Sequence, residues 1–214
     1  MFNVKVTTLI KDLCLPNVAQ DIINDISHLQ IDVLINNAGF GLFGPFSKTN
    51  WERESAMLHL HVITTTHLTK LLLKDMVKRG SGRILNMSSL AAFQPGPLMS
   101  IYYASKGYML SFSEAIANEL KGTGVTVTAL CPGPTKTAFQ ETVSAETTSS
   151  NNKIKSNMAS AKEVASYGYN AMKKGKSYAI PGKFNKFLSI IPRLIPRSST
   201  VSIVRKLQEK NRVD

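Results

Sequence analysis

Two residues of this chain have a spacing that suits proton transfer. Tyr102 and Lys106 lie four positions apart in the run Ser100-Ile-Tyr-Tyr-Ala-Ser-Lys106. On a helix, this spacing places the phenol and the ammonium on one face. The cation favours tyrosinate and so lowers a tyrosine pKa that starts near ~10, which lets the phenol act as acid or base near neutrality. The pair predicts a proton-transfer site, with Ser89 at the end of an upstream strand as its third member.

Two further motifs accompany this trio. Asn36-Asn-Ala-Gly39 follows an apolar segment at residues 31–35, and Cys131-Pro-Gly-Pro-Thr-Lys-Thr137 follows another at 125–130. In type, order and spacing, the set resembles the short-chain dehydrogenase/reductase family over residues 12–182. The resemblance implies a Rossmann-like, doubly wound parallel sheet with helices on both faces, a nicotinamide cofactor (NAD or NADP) and a homo-oligomer.

The resemblance also implies roles for the trio. Ser89 would hold the substrate oxygen, Tyr102 would pass the proton, and Lys106 would lower the tyrosine pKa and hydrogen-bond the nicotinamide ribose. Ser88 and Tyr103 are the competing neighbours. Ser89 is preferred because its thirteen-residue distance to Tyr102 matches the family, and only Tyr102 has a lysine four residues on.

The other implied site residues surround the cofactor. They are Asp12 against the adenine with Leu13 beside it, Asn36, Ala38 and Gly39 in the cofactor cleft, and Pro132, Gly133, Thr135 and Thr137 facing the nicotinamide amide. His61 stands where the family usually carries an asparagine that holds a proton-relay water. A histidine can bridge a water too, and a structural helix residue near the cleft mouth is the alternative.

The amino-terminal end departs from the family pattern. The family opens with a strand, a glycine-rich turn, a helix and a second strand, whereas this sequence begins at the expected third strand, residues 4–10. We therefore expect an N-terminally truncated sheet. Gly39-Phe-Gly41-Leu-Phe-Gly44 fits the dinucleotide fingerprint, but residues 45–50 separate it from the next helix and no acidic residue lies near residues 64–66. We expect a flexible loop over the cleft.

Hydrophobic periodicity predicts alternating strands and helices, the pattern of a parallel sheet. The expected strands are residues 4–10, a buried strand at 32–35, 83–87, 125–130 and 177–180. The expected helices are 17–29, a long helix at 50–77, 102–120 and 161–173. On the long helix, the inner side is expected to carry Met57, Leu60, Ile63, Leu68, Leu71, Leu72 and Met76. The polar segment 140–160 matches the family's mobile substrate lid, and an ordinary disordered loop is the alternative.

Composition limits the other function classes. The chain of 214 residues is 43% hydrophobic, which is enough for one domain with a substantial core. Cys14 and Cys131 lie far apart and give no disulfide framework, so we expect free buried thiols and a cytoplasmic protein. The four histidines show no metal-ligand spacing. No signal peptide and no apolar run of transmembrane length is apparent.

The carboxyl-terminal part carries most of the net charge of +12. From Lys173 onward there are eleven basic residues against Glu209 and Asp214, interleaved with apolar side chains. We divide the chain into a dehydrogenase domain, residues 1–182, and a basic amphipathic tail, 183–214. The tail suits peripheral contact with an anionic membrane surface that holds a lipophilic substrate, or else covers a sheet edge or forms a dimer contact. No nucleic-acid-binding module accompanies it.

The expected function is an NAD(P)-dependent oxidoreductase that interconverts a carbonyl and a secondary alcohol of a small molecule by hydride transfer. The alternative is a truncated, non-catalytic member that serves as a binding or dimerising module. The missing glycine-rich turn motivates that alternative, because the pyrophosphate would lose its backbone donors and the attraction of a helix dipole.

Overall fold

The computed structural model describes residues 4–139, 143 and 158–212. The helices are α1 (Val18–Asp25), α2 (Trp51–Leu58), α3 (Thr65–Lys78), α4 (Ser100–Glu119), α5 (Ala161–Lys173), α6 (Lys183–Ile190) and α7 (Arg197–Arg212). The strands are β1 (Val33–Asn36), β2 (Gly82–Met87), β3 (Val125–Leu130), β4 (Thr135–Lys136), β5 (Ala159–Ser160) and β6 (Tyr178–Ala179). A π-helical segment, His59–Thr64, joins α2 to α3, and 3₁₀ turns cover Leu90–Phe93 and Ile191–Arg193.

The main sheet is parallel throughout, in the order β1-β2-β3-β6. Successive residues of a strand point to opposite faces, so Ile84 packs with Met76, Val125 and Val127 while Leu85 packs with other buried side chains on the far face. The far face is covered by α5, through Val164, Ala171 and Met172. The expected parallel α/β sheet with helices on both faces is confirmed. A short parallel pair, β4 and β5, forms a second sheet.

The amino-terminal strand is a wrong prediction. Residues 4–10 have no strand geometry, and Val6 and Ile10 are 79% and 94% exposed. An alternating apolar segment becomes a strand only when a neighbour takes its backbone hydrogen bonds, and no described strand pairs with this one. The next strand forms as expected at Val33–Asn36, but it lies at an edge with Ile35 52% exposed, so its predicted burial is also wrong. The expected N-terminal truncation stays a prediction.

The long helix at 50–77 forms, with one departure in its middle. Met57, Leu60, Leu68 and Met76 are buried, whereas Ile63 is 55% exposed, against expectation. Ile63 lies in the π-helical segment, whose wider turn adds a residue and so rotates the side chains away from the 3.6-residue pattern. His61, in the same segment, is buried.

Most of the other predicted strands and helices are present in the described part of the chain. Strands at 83–87, 125–130 and 177–180 and helices at 17–29, 102–120 and 161–173 form within a few residues of their expected bounds. Cys131 is buried as expected, but Cys14 is partly exposed. Most of the expected lid at 140–160 lies outside the described residues. Within the described part of the chain, no helix has both the length and the apolar character needed to cross a bilayer.

Candidate active site

The site motifs meet because the parallel strands all end at one edge of the sheet. The turn Asn36–Gly39 follows β1, Ser89 follows β2 and Pro132 follows β3. The backbone N–H of Leu90 donates to the Pro132 carbonyl at 2.8 Å, which joins the last two loops. In open parallel α/β sheets, ligands bind at this carboxyl edge.

Tyr102 and Lys106 lie on adjacent turns of α4 and face this edge. The Lys106 Nζ is 5.7 Å from the centroid of the Tyr102 ring and donates to the Met87 carbonyl at 2.9 Å. Lys106 is only 6% exposed, and this burial lowers its pKa to about 8. Loss of water disfavours the charged ammonium, so the lysine titrates close to neutral pH.

The two competing neighbours are engaged elsewhere. Ser88 is buried, and its hydroxyl donates to the Lys106 carbonyl at 2.9 Å. Ser89 is only partly buried and accepts from the Ala91 N–H at 3.1 Å, which leaves its hydroxyl hydrogen for another acceptor. The Tyr103 hydroxyl accepts from Gln208 Nε2 at 2.7 Å. The hydroxyls of Ser88 and Tyr103 therefore both have protein partners.

His61 is 2% exposed and joins the turn after β1 to α4. Its Nε2 accepts from the Phe40 N–H at 3.3 Å, so the proton of the neutral ring is on Nδ1. Nδ1 therefore donates to Ser105 Oγ, at 2.9 Å. Ser105 Oγ donates in turn to the Tyr102 carbonyl at 2.9 Å. Burial, followed by the nearby Lys106 charge, lowers the pKa of His61 to about 2. Both ring nitrogens therefore form hydrogen bonds with protein atoms, which is the arrangement expected of a structural residue.

The rest of the turn after β1 combines a fixed side chain with exposed backbone. Asn36 Nδ2 donates to Asn86 Oδ1 at 2.8 Å and to Thr69 Oγ1 at 3.2 Å, which ties β1 to β2 and α3. Ala38 and Gly39 are exposed. A Cβ added to Gly39 would lie 2.8 Å from His61 Nε2 and 3.5 Å from Lys106 Nζ. The backbone here therefore approaches the two buried nitrogens closely.

Asp12 and Leu13 reach the site at its margin. The Leu13 carbonyl accepts from Thr64 Oγ1 of the π-helical segment at 2.8 Å. Asp12 is exposed, and its carboxylate accepts from the Cys14 N–H at 2.9 Å. The structure thus places this pair beside the helix of His61, and it gives no contact between the pair and the Tyr102–Lys106 group.

The expected nicotinamide loop is held by its own hydrogen bonds. Thr135 Oγ1 donates to the Gly133 carbonyl at 3.0 Å, and Thr137 Oγ1 accepts from the Phe139 N–H at 3.3 Å. A Cβ on Gly133 would lie 2.8 Å from Asn185 Oδ1, so this loop packs tightly against α6. Pro132 and Gly133 stay partly exposed at the edge of the sheet.

Sequence analysis missed two features of the site. The first is Ser105, which lies within the Tyr-Lys motif but whose partner His61 is 44 residues away in sequence. The second is an apolar cluster beside Tyr102, formed by Phe43, Met99, Val143, Leu98, Tyr103 and Phe139. The Phe139 ring lies 5.4 Å from the Tyr102 ring, centroid to centroid. No periodic signal connects the short segments that build this cluster.

A cavity of about 620 Å³ lies next to the site but is distinct from it. It is formed by residues 92–97, the Tyr103 side of α4, and Pro192, Arg197 and Thr200 of the tail. Its lining includes neither Tyr102 nor Ser89. The candidate site is instead the open carboxyl edge of the sheet, beside the apolar cluster.

Comparison with curated proteins gives partial-length matches. The chain is 40% identical over 115 residues to the ketoacyl reductase HetN of Nostoc sp., a match that covers 54% of this chain and 38% of that protein. It is 34% identical over 136 residues to the 2-dehydro-3-deoxy-D-gluconate 5-dehydrogenase of Bacillus subtilis, covering 62% of this chain and 52% of that one. The chain thus spans about half the length, or less, of these two relatives.

The fold is also found among solved structures. A 7β-hydroxysteroid dehydrogenase superposes with a TM-score of 0.78 at 20% identity, covering 90% of this chain and 74% of that one. At this identity the likeness establishes the fold alone. The model of the family described as short chain dehydrogenase matches residues 5–148, more than half of the chain. The chain therefore belongs to the short-chain dehydrogenase family.

Proposed function

We propose that this protein is an NAD(P)-dependent oxidoreductase that interconverts a carbonyl and a secondary alcohol. The observation that supports the proposal is the position of the Tyr102–Lys106 pair, with Lys106 Nζ 5.7 Å from the Tyr102 ring centroid and bonded to the Met87 carbonyl at the end of β2, the strand that Ser89 follows. The family assignment and the relatives, which are named as reductases and dehydrogenases, support it.

The residues at this edge fit the nicotinamide end of the cofactor. Exposed Ala38 and Gly39 leave room for a flat ring close to Lys106, and the lysine ammonium has three donors, of which the Met87 carbonyl takes one. Pro132 and Gly133 form the opposite side. A bound nicotinamide supplies or accepts the hydride. A short-chain dehydrogenase from Sphingobium yanoikuyae, whose fold resembles this one with a TM-score of 0.72, was solved in complex with NADPH, in keeping with this proposal.

The protein's own residues handle the proton and the orientation of the substrate. Ser89 donates to the substrate oxygen and fixes its position. Tyr102 gives a proton to that oxygen during reduction and takes one during oxidation. The Lys106 ammonium stabilises tyrosinate, so the site needs a lysine that is at least partly charged. A Lys106 pKa of about 8 therefore predicts weaker catalysis above that pH.

The substrate in this proposal is lipophilic. The apolar cluster of Phe43, Met99 and Val143 borders Tyr102 directly, and a buried apolar wall favours carbon-rich groups over charged ones. As a further part of the proposal, the basic tail holds the protein at a membrane surface, where such a substrate accumulates. A homo-oligomer formed through α3 and α4 also remains a proposal.

The test is a pair of matched substitutions, Tyr102→Phe and Tyr103→Phe. Each removes one phenolic hydroxyl from the same helix, but only the first removes the proposed proton donor. Oxidation of NADPH and NADH with a panel of lipophilic ketones should fall about a hundredfold or more in Tyr102→Phe and stay near wild type in Tyr103→Phe. Urea unfolding checks that both variants fold. Full turnover in folded Tyr102→Phe would refute the assigned role.

A non-catalytic binding or dimerising module is the second candidate, favoured by two observations. On the edge strand β1, the side chains of Val33 and Ile35 are 41% and 52% exposed. An exposed apolar edge strand of this kind is suited to contact with a partner. Among the described residues, no turn with two glycines leads directly into a helix, as a pyrophosphate-binding turn would. Cofactor binding separates the two candidates.

A further inference from the structure

The tail exposes an apolar stripe that the domain does not cover. Phe184, Phe187 and Ile190 recur every three residues along α6, and Leu194 follows the 3₁₀ turn. Their exposed fractions are 70%, 60%, 51% and 76%. We call these four residues, with Lys183, Lys186, Arg193 and Arg197 around them, the tail surface.

The tail is anchored through other residues. Ser189 of α6 and Thr200 and Val204 of α7 are at most 6% exposed. The Gln208 side chain donates to the Tyr103 hydroxyl on α4. Because these inward residues hold the tail on the domain, the stripe on α6 faces outward in the folded protein. Four large apolar side chains in one exposed stripe are more than scattered surface exposure.

The charge around this stripe has a single sign. Between Lys183 and Gln208 the sequence has six basic residues and no acidic residue. The four basic residues of the tail surface are all exposed. A second copy docked on the same surface would bring like charges together, which disfavours that occupant. An anionic lipid surface offers a negative potential for the cations and an acyl boundary for the aromatic rings.

We propose that the tail surface binds the face of an anionic lipid bilayer. Phe184 and Phe187 enter the boundary between headgroups and acyl chains, and Lys183, Lys186, Arg193 and Arg197 pair with anionic headgroups. The inference rests on the membrane contact of the proposed function and names the surface and the lipid chemistry. Its test measures lipid binding and not catalysis. A protein that does not bind lipid can therefore be told apart from a protein that has no oxidoreductase activity.

The experiment is sedimentation of the full chain with phosphatidylcholine vesicles, with and without phosphatidylserine. Wild-type protein should pellet with the anionic vesicles and much less with the neutral ones. The double variant Lys183→Gln/Lys186→Gln should lose roughly twenty-fivefold in partitioning, about fivefold for each lysine. Phe184→Ala/Phe187→Ala should lose binding as well. All four positions are exposed, so these variants should fold normally.

Matched controls make the result specific to the surface. Lys70→Gln/Lys74→Gln removes the same charge from exposed positions on α3, and Tyr169→Ala removes an exposed aromatic ring from α5. Both controls should bind like wild type. If the Lys70→Gln/Lys74→Gln control lost as much vesicle binding, the binding would depend on net charge alone and not on the tail surface. That result would overturn the proposal. Absence of vesicle binding together with a dimer that the Phe184→Ala/Phe187→Ala variant dissociates would reassign the surface to a contact between copies.

Discussion

Lys106 and His61 are buried within one end of the site, and burial lowers the pKa of both. The Lys106 pKa falls to about 8, and the His61 pKa falls to about 2. Lys106 can still carry charge near neutral pH, as stabilisation of tyrosinate requires. His61 cannot, because it would have to accept a proton while its Nε2 accepts from Phe40. This favours His61 as a positioning residue between the turn after β1 and α4.

The neutral state of His61 predicts a specific loss of stability in acid. Its pKa is about 2 when folded and near 6.5 when unfolded, so the unfolded chain binds the extra proton below pH 6.5. Stability is therefore full above that pH and falls as the pH drops. From about pH 7 to about pH 5, the wild type should lose about 2 kcal/mol more than His61→Asn.

Urea unfolding of both proteins at the two pH values measures this difference. The change with pH is the readout, since the smaller side chain also alters stability at neutral pH. Equal losses in the two proteins would show that His61 can accept a proton in the folded state. That result would restore a proton relay as its role.

At the scale of elements, glycine decides how closely a helix can pack on the sheet. Gly168 of α5 faces buried Leu130 of β3, and a Cβ there would lie 2.5 Å from Leu130 Cδ2. Gly107 of α4 has more room, because a Cβ would lie 3.6 Å from the Ala92 carbonyl oxygen, an ordinary contact. Both glycines stand within helices, where the backbone freedom of glycine is a disadvantage.

The same substitution at the two glycines should therefore act in opposite directions. Gly107→Ala should raise the free energy of unfolding by up to about 1 kcal/mol through helix propensity. Gly168→Ala gains the same propensity but forces Leu130 or α5 to shift, with a net loss of about 1–3 kcal/mol. Urea unfolding measures both. Equal stabilisation by the two changes would mean that α5 lies further from β3 than described.

At the scale of the whole molecule, cofactor binding decides between enzyme and binding module. Trp51, the only tryptophan of the chain, begins α2 and is 61% exposed, so it reports on binding through its fluorescence. Titration with NADH and NADPH should give saturation with at least one of them. At a hundredfold excess over Kd, binding adds about 2.7 kcal/mol to stability and raises the unfolding temperature.

The two outcomes have different meanings for the molecule. Saturation by one dinucleotide names the cofactor and supports the oxidoreductase proposal. A folded protein that binds neither, with an unchanged unfolding temperature, would favour the non-catalytic module. The exposed edge of β1 would then be the first surface to examine for a partner.

Much of the fold was predictable because its signals are local. The strands at 83–87 and 125–130 and the helix at 102–120 carry strong periodic patterns bounded by glycine, and they form nearly as expected. The segment 4–10 shows the limit of such patterns. Its alternation is as clear as that of a strand, yet strand formation depends on a neighbour that the pattern itself does not provide. For Ile63, a π-helical turn rotated the side chain outward.

The sequence by itself determined the family motifs, the spacing of Tyr102 and Lys106, and the basic tail, because these depend on residues close together in the chain. Only the tertiary structure decided the burial that brings Lys106 to a pKa of about 8, the His61–Ser105 link and the outward stripe on α6. It also brought together the apolar cluster beside Tyr102. Burial and long-range contacts depend on which distant segments share a surface. Local sequence patterns therefore determine which helices and strands form, whereas their packing determines the burial, contacts and pKa values of the side chains at the site.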